Sequence, residues 1–227
     1  MNSMEYFTTQ QQSLAEKILI NQRISEEEAL VLFENFELPQ LALLAAHRKE
    51  RASGKKVFYN RNIHIEPTNI CVYNCRFCSY RATSETDSYI FSAEKIIDKI
   101  SAVADNITEV HITGGVHPDW GICFFANLLK KIKTQFPHLH IKAFTAVEIA
   151  YMCKIDKLEI ADGLRILKDA GLSSLPGGGA EIFDESVREI ISPEKPSGQL
   201  WLDVHRTAHI NGLPSNATML FGHVESR

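Results

Sequence analysis

The chain has 227 residues, 44% of them hydrophobic, with a net charge of -4, values that suit folded protein and exclude disorder or a coiled coil. No stretch approaches the roughly 18 apolar residues of a membrane span, and "MNSMEYFTTQQQ" lacks the basic and apolar parts of a signal peptide. These features predict a cytoplasmic protein with no membrane partner, and the lack of a Lys/Arg-rich run argues against a nucleic-acid partner.

Residues 1–56 read as an N-terminal helical segment. "SEEEALVLFENF" opens with Ser25 as N-cap and Glu28 in capping-box spacing, and "LPQLALLAAHRKERASGKK" continues at helical intervals to Gly54. From residue 57 the texture changes. "NIHIEP" alternates toward a first strand, and Ser92 opens a helix striped by Ile96, Ile97, Ile100 and Val103. "EVHIT" is a second strand, followed by a helix marked by Phe124, Phe125, Leu128, Leu129 and Ile132 and stopped by Pro137. "HIKAFT" is a third strand; Ile160, Leu164 and Leu167 stripe a helix ending at Gly171; "LSSL" is a short fourth strand. A helix over 198–211 ends at Gly212, and "NATMLF" is a fifth strand, with "SPEKPSG" at 192–198 the best candidate for a flexible connection. Strand, loop and helix repeated in this way predict an α/β fold over 57–227 with a parallel sheet, either doubly wound or part of a β/α barrel.

Three of the five cysteines, Cys71, Cys75 and Cys78, fall within "NICVYNCRFC", just past the first strand, where loops build the sites of parallel β/α folds. An odd, clustered set in a reducing compartment points to metal or redox chemistry, and leaves Cys123 and Cys153 as buried structural thiols. A structural zinc site normally uses four ligands in separated pairs, and no second pair is present here. Three buried thiols without a metal are a further reading, although Asn69, Asn74 and Arg76 make the segment polar for a core. Clustered thiolates are the usual ligands of iron–sulfur clusters, and three on a four-iron cluster leave one iron open.

The spacing C-x3-C-x2-C, with Phe77 before the third cysteine, resembles the signature of the radical S-adenosylmethionine (SAM) enzymes. The resemblance implies a [4Fe-4S] cluster on Cys71, Cys75 and Cys78, with SAM chelating the open iron and split, on reduction, to methionine and a 5'-deoxyadenosyl radical. It also implies a radical SAM barrel of the TIM type, here partial and incomplete at the C-terminus. "HITGGVHP" resembles the superfamily's Gly-Gly segment, which makes Thr113, Gly114 and Gly115 SAM-contact candidates, or a plain turn at a strand end. Gly222 and Glu225 in "MLFGHVE" match part of a pattern that supports the adenine.

"KAFTAVEI", "LPGGGAEIFDESVREIISPEK", "WLDVHRTAH" and "NATMLFGHVE" together are similar to the aminofutalosine synthases of menaquinone biosynthesis, from about residue 20 onward. That resemblance implies addition of the adenosyl radical to 3-[(1-carboxyvinyl)oxy]benzoate, SAM as a consumed co-substrate, and an external donor such as flavodoxin or ferredoxin. Dehypoxanthine futalosine cyclase and FO synthase share much of the texture, and a non-catalytic iron–sulfur or zinc module is the alternative of another class. Thr145, Glu148 and Glu181 are candidates for the SAM ribose, each with a bland reading as a cap or helix-start residue. The run Gly177, Gly178, Gly179 is a flexible loop or a close approach of main-chain amides to an anion. Arg188 pairs with a carboxylate of SAM or substrate, or is an exposed helix charge. His117 is a substrate contact or a turn residue beside Pro118; Glu66, with His64, leads into the cysteine loop on one face of the first strand. His205 and His209, four apart, make an incomplete metal pair and read as packing or capping groups. Members of the family are longer, so cluster binding with little turnover, and self-association through an open sheet edge, are expected of 227 residues.

Overall fold

The computed structural model describes residues 3–226. The chain divides into two compact units, the boundary falling between Tyr59 and Asn60. In the first, α1 (Thr9–Leu19), α2 (Glu26–Asn35) and α3 (Leu38–Ser53) enclose a small core of Phe7, Leu14, Ala15, Ile18, Phe36 and Leu44. Ser25 accepts from the Glu28 amide and the Glu28 carboxylate accepts from the Ser25 amide, so two helix-end donors are satisfied reciprocally at the start of α2.

The second unit is built on β1 (Asn62–Ile65), β2 (Glu109–Ile112) and β3 (His140–Ala143), all parallel and in that order. Parallel neighbours need crossovers, supplied by α4 (Ala93–Ser101) and α5 (Ile122–Gln135); α6 (Ala146–Asp156), α7 (Ile160–Asp169), α8 (Glu185–Ile191) and α9 (Gly198–Ile210) follow. Side chains alternate along a strand. Ile65, Val110, Ile112, Ile141 and Ala143 therefore share one face, and they join Ile96, Ile100, Leu129, Ile132, Leu164 and Val204 in the main core. Each buried Ile, Leu or Val among them contributes about 1.5–3 kcal/mol by leaving water. The opposite face carries Asn62, His64, Glu109, His111, His140 and Lys142.

The expected fourth and fifth strands shrink to single bridges. Ser174 pairs with Lys142 and Leu175 with Ser215, both parallel, continuing the sheet's direction for one residue each. Proline limits them: Pro176 follows Leu175 directly and has no amide to donate, and Pro214 stands just before Ser215. "NATMLF" is not a strand; Thr218 and Leu220 instead donate to the Gly177 and Glu181 carbonyls, draping the segment over the glycine run. The leftover thiols divide: Cys153 is buried, as expected, whereas Cys123 is exposed at the start of α5.

Among the described residues no helix is long and apolar enough to cross a membrane.

Candidate active site

The loops after β1, β2 and β3 converge on a cavity of about 220 Å³ lined by Cys71, Cys75, Cys78, Glu66, Tyr73, Phe77, Tyr80, Thr113, Gly114, Thr145, Glu148, Gly179 and Lys195. The cysteine loop is fastened to the end of β2 by two backbone bonds, Gly115 N–H to the Thr68 carbonyl at 2.8 Å and Val72 N–H to the Val116 carbonyl at 2.9 Å. That approach needs glycine. A Cβ on Gly115 would stand 2.2 Å from the Ile70 carbonyl oxygen, and one on Gly114 would stand 3.0 Å from the Thr68 oxygen.

From the other side the loop is held by the last residue of α8 and by residues 192–198, the segment expected to be flexible. Glu194 Oε2 accepts from the Asn74 amide at 2.6 Å, and the Arg76 amide donates to the Ile191 carbonyl at 2.8 Å. Lys195 projects from this segment into the cavity. Its ammonium lies 2.6 Å from Glu181 Oε1 and 5.1 Å from the centre of the Phe77 ring, on the cavity that Cys75 also lines. Burial pushes the Cys75 thiol up, Lys195 opposes that shift, and Cys71 and Cys78 are near enough to add to it. Among the described residues no three His, Cys, Asp or Glu side chains stand as a preformed site for a single ion. A soft, all-thiolate donor set with room beside it suits a sulfur-bridged cluster.

Glu148 lines the cavity, buried, its Oε2 accepting from the Thr145 amide and hydroxyl at 2.7 Å each. Loss of water dominates over these bonds and raises its pKa to about 7. The unfolded carboxyl titrates near the model value of 4.5, so the folded state binds the proton more tightly. Glu148 therefore makes stability fall as pH rises from about 4.5 to 7, by on the order of 3 kcal/mol across the window. Urea midpoints of Glu148→Gln are expected to lack this part of the decline that the unsubstituted chain shows.

Several expectations fall away. Arg188 is buried with only 3% exposure, and its guanidinium donates to the carbonyls of Ala180, Ile182 and Pro196, so it holds the loop's backbone and is neither an exposed charge nor free to pair with a ligand. Arg188→Met, which orphans three carbonyls, is expected to cost about 3 kcal/mol in denaturant unfolding; a SAM-binding role would instead alter SAM affinity and spare stability. His117 stacks on Trp120 at 4.4 Å and lines a separate cavity with Phe91 and Phe124, apart from the cysteines. Gly222 and Glu225 stay outside the cavity: the Glu225 carboxylate turns back on the Gly222 and His223 amides, and these bonds hold its pKa down at about 2. The glycine run is close packing. A Cβ on Gly177 would stand 2.6 Å from the Asn216–Ala217 backbone, and Gly179, at φ +89°, lies against Val147. His205 and His209 both bond the Ser215 hydroxyl at 2.8 Å, a packing arrangement.

The sequence profile of the radical SAM superfamily matches residues 65–227, a span that takes in the three cysteines, the Gly-Gly segment and every residue lining the cavity. The chain belongs to the radical SAM superfamily. A [4Fe-4S] cluster and SAM are the cofactors of this superfamily, as the cysteine spacing led one to expect. Among its relatives, the aminodeoxyfutalosine synthase of Thermus thermophilus is 40% identical over 215 residues, covering 94% of this chain and 58% of the relative. The 5-amino-6-(D-ribitylamino)uracil–L-tyrosine 4-hydroxyphenyl transferase of Methanothermobacter thermautotrophicus is 36% identical over 210 residues, covering 91% and 57%. The chain thus spans well under two thirds of the length of these relatives. The fold is shared with the crystal structure of methylornithine synthase, with TM-score 0.69 at 18% identity over 89% of this chain and 57% of that one. The likeness places the three strands and the two bridges in a partial radical SAM barrel, with the cavity at the carboxyl ends of its strands.

Proposed function

We propose that this radical SAM chain carries the cofactor site of an aminodeoxyfutalosine synthase, joining the adenosyl part of SAM to the vinyl carbon of 3-[(1-carboxyvinyl)oxy]benzoate. The observation that supports it is the joint placement of Cys71, Cys75 and Cys78 with Gly114, Thr145, Glu148 and Lys195 around one cavity, in a chain 40% identical to such a synthase. Bound there, the cluster supplies the electron and SAM the adenosyl group, with reducing equivalents from a small donor protein such as flavodoxin or ferredoxin.

The chain's own part is to hold and shield. Cys71, Cys75 and Cys78 would ligate three irons. Gly114 and Gly115, free of side chains, let the β2 end close on the cysteine loop and leave space for SAM beside it. Glu181 and Glu148 are carboxylates set to receive hydroxyl or ammonium donors of SAM. Lys195 balances their charge, and Tyr73 and Phe77 narrow the cavity against water. Glu66, immediately after β1 at the start of the cysteine loop, is left as a substrate-side group. Cytoplasmic placement accords with oxygen-sensitive cluster chemistry.

Anaerobic reconstitution with iron and sulfide, followed by SAM, dithionite and the enol ether, is expected to give aminodeoxyfutalosine, read by mass spectrometry in a single turnover. Formation of 5'-deoxyadenosine alone, with or without the enol ether, would reject this substrate and leave the 4-hydroxyphenyl transferase and FO synthase type reactions of similar proteins as the next to assay.

A further inference from the structure

The polar face of the sheet holds a feature outside the cofactor cavity. His64, His111 and Lys142 are direct register partners on β1, β2 and β3, so the three basic side chains form one row across adjacent strands. Their neighbours along each strand, Ile63, Ile65, Val110, Ile112, Ile141 and Ala143, point the other way and pack with the helices. The row therefore lies on the face turned inward in a β/α barrel. The next row toward the carboxyl ends begins with Glu66 and Thr113, which line the cofactor cavity. One pleat repeat separates the two rows, about 7 Å.

Within the row, His64 and His111 stack with ring centres 4.9 Å apart, and His64 Nε2 is 3.0 Å from the Thr113 hydroxyl. His111 Nε2 is buried and has no hydrogen-bond partner. Burial, together with the charges of His64 and Lys142, holds its imidazole below the usual histidine range. Across the row Lys142 is half-buried, and among the described residues no carboxylate lies within ion-pair distance of its ammonium. Of the acids nearby, Glu109 lies 3.9 Å from His140 and 3.4 Å from the Asn60 side-chain nitrogen, and Glu66, which lines the cofactor cavity, has its carboxylate 4.0 Å from His64 Nδ1, so the acid contacts fall on His140 and His64 and leave the Lys142 ammonium without one. The unpaired Lys142 ammonium and, in the tautomer that carries its proton on Nε2, the unpartnered His111 nitrogen stand beside a stacked imidazole pair on an inner face and make an anion platform, because an unpaired buried polar group is costly until a ligand satisfies it.

We propose that His64, His111 and Lys142 form a carboxylate-binding subsite that seats an acid group of the substrate one pleat repeat below the cofactor cavity. A flat aromatic acid fits the platform, its carboxylate on Lys142 and His111 and its ring against the imidazole stack. The inference rests on the proposed function only for which acid is bound; the subsite is defined by these three residues.

Calorimetric titration of the full chain with 3-methoxybenzoate, and with the neutral 3-methoxybenzamide, tests it. The benzoate is expected to bind and the amide to bind far more weakly. Lys142→Met and His111→Gln are expected to weaken the benzoate by roughly 10- to 100-fold, while Lys142→Arg, which keeps the charge, restores it. Thermal midpoints taken alongside confirm that Lys142→Met, at a half-buried position, is folded. Failure of the chain to bind the benzoate, equal binding of the amide, or unchanged benzoate affinity in Lys142→Met would each overturn the subsite. Lys142-dependent benzoate binding without conversion of the enol ether would keep the subsite and reject the synthase assignment.

Discussion

Replacing Cys75 with alanine is expected to leave a folded chain that retains no intact four-iron cluster after anaerobic reconstitution and no longer cleaves SAM. Cys75 is the central ligand of the loop, half-buried beneath Lys195 and electrostatically coupled to both Cys71 and Cys78. Removing an outer partner of a metal site typically costs about 10- to 100-fold, and removing one of three anchoring thiolates is expected to exceed that range. Iron per chain and the visible absorbance of the reconstituted protein report the loss directly. Fold is spared because Cys75 belongs to a loop and contributes to none of the hydrophobic clusters. Cys123→Ala is the matched comparison. Its thiol is exposed at the start of α5, and both iron content and SAM cleavage are expected to match the unsubstituted chain.

The second large effect is expected at a residue with no side chain. Gly115→Ala would put a methyl 2.2 Å from the Ile70 oxygen, 2.8 Å from the Ile70 carbonyl carbon and 3.0 Å from the Asn69 carbonyl carbon. All three are backbone atoms, so no rotamer change relieves the clash. The cysteine loop must move from the end of β2, taking Cys71 with it and breaking the bond from the Gly115 amide to Thr68. The cost is expected to be about 3 kcal/mol or more, seen as a thermal midpoint lower by roughly 10 °C, with reduced iron uptake. Gly178→Ala meets only the Thr145 methyl, at 3.2 Å. A small shift of that side chain absorbs it, so its midpoint is expected to fall far less.

The parts of this molecule that were legible in the sequence are those in which one period or one spacing carries the information. Ile96 and Ile100 marked the buried side of α4, and Ser25 with Glu28 marked the start of α2, because each signal lies within a few residues. The three cysteines and the Gly-Gly pair were legible for the same reason. The helix α6 was not. It buries Ala146, Val147, Glu148, Ile149, Met152 and Cys153, which surround its axis and leave no stripe to detect. Phe124, counted in the stripe of α5, is exposed and stacked on Trp120.

Arg188 misled because its partners are carbonyls of its own neighbourhood, at 180, 182 and 196, which carry no residue identity to read. Lys195 was missed for the complementary reason. Its Pro- and Ser-containing surroundings look like a linker, and only the docking of Glu194 on the Asn74 amide shows that the segment is a wall of the site. The pairing of His64, His111 and Lys142 was equally hidden, since residues 47 and 31 positions apart become neighbours only through parallel register.

Cys71, Cys75 and Cys78 would hold the cluster, with SAM beside it in the cavity that Gly114 and Lys195 line. Electron paramagnetic resonance of the dithionite-reduced, reconstituted chain, recorded with and without SAM, tests that most directly. The predicted result is about four irons per chain and a reduced-cluster signal that changes shape when SAM is added. Retention of zinc in place of iron, or a cluster signal indifferent to saturating SAM, would contradict it.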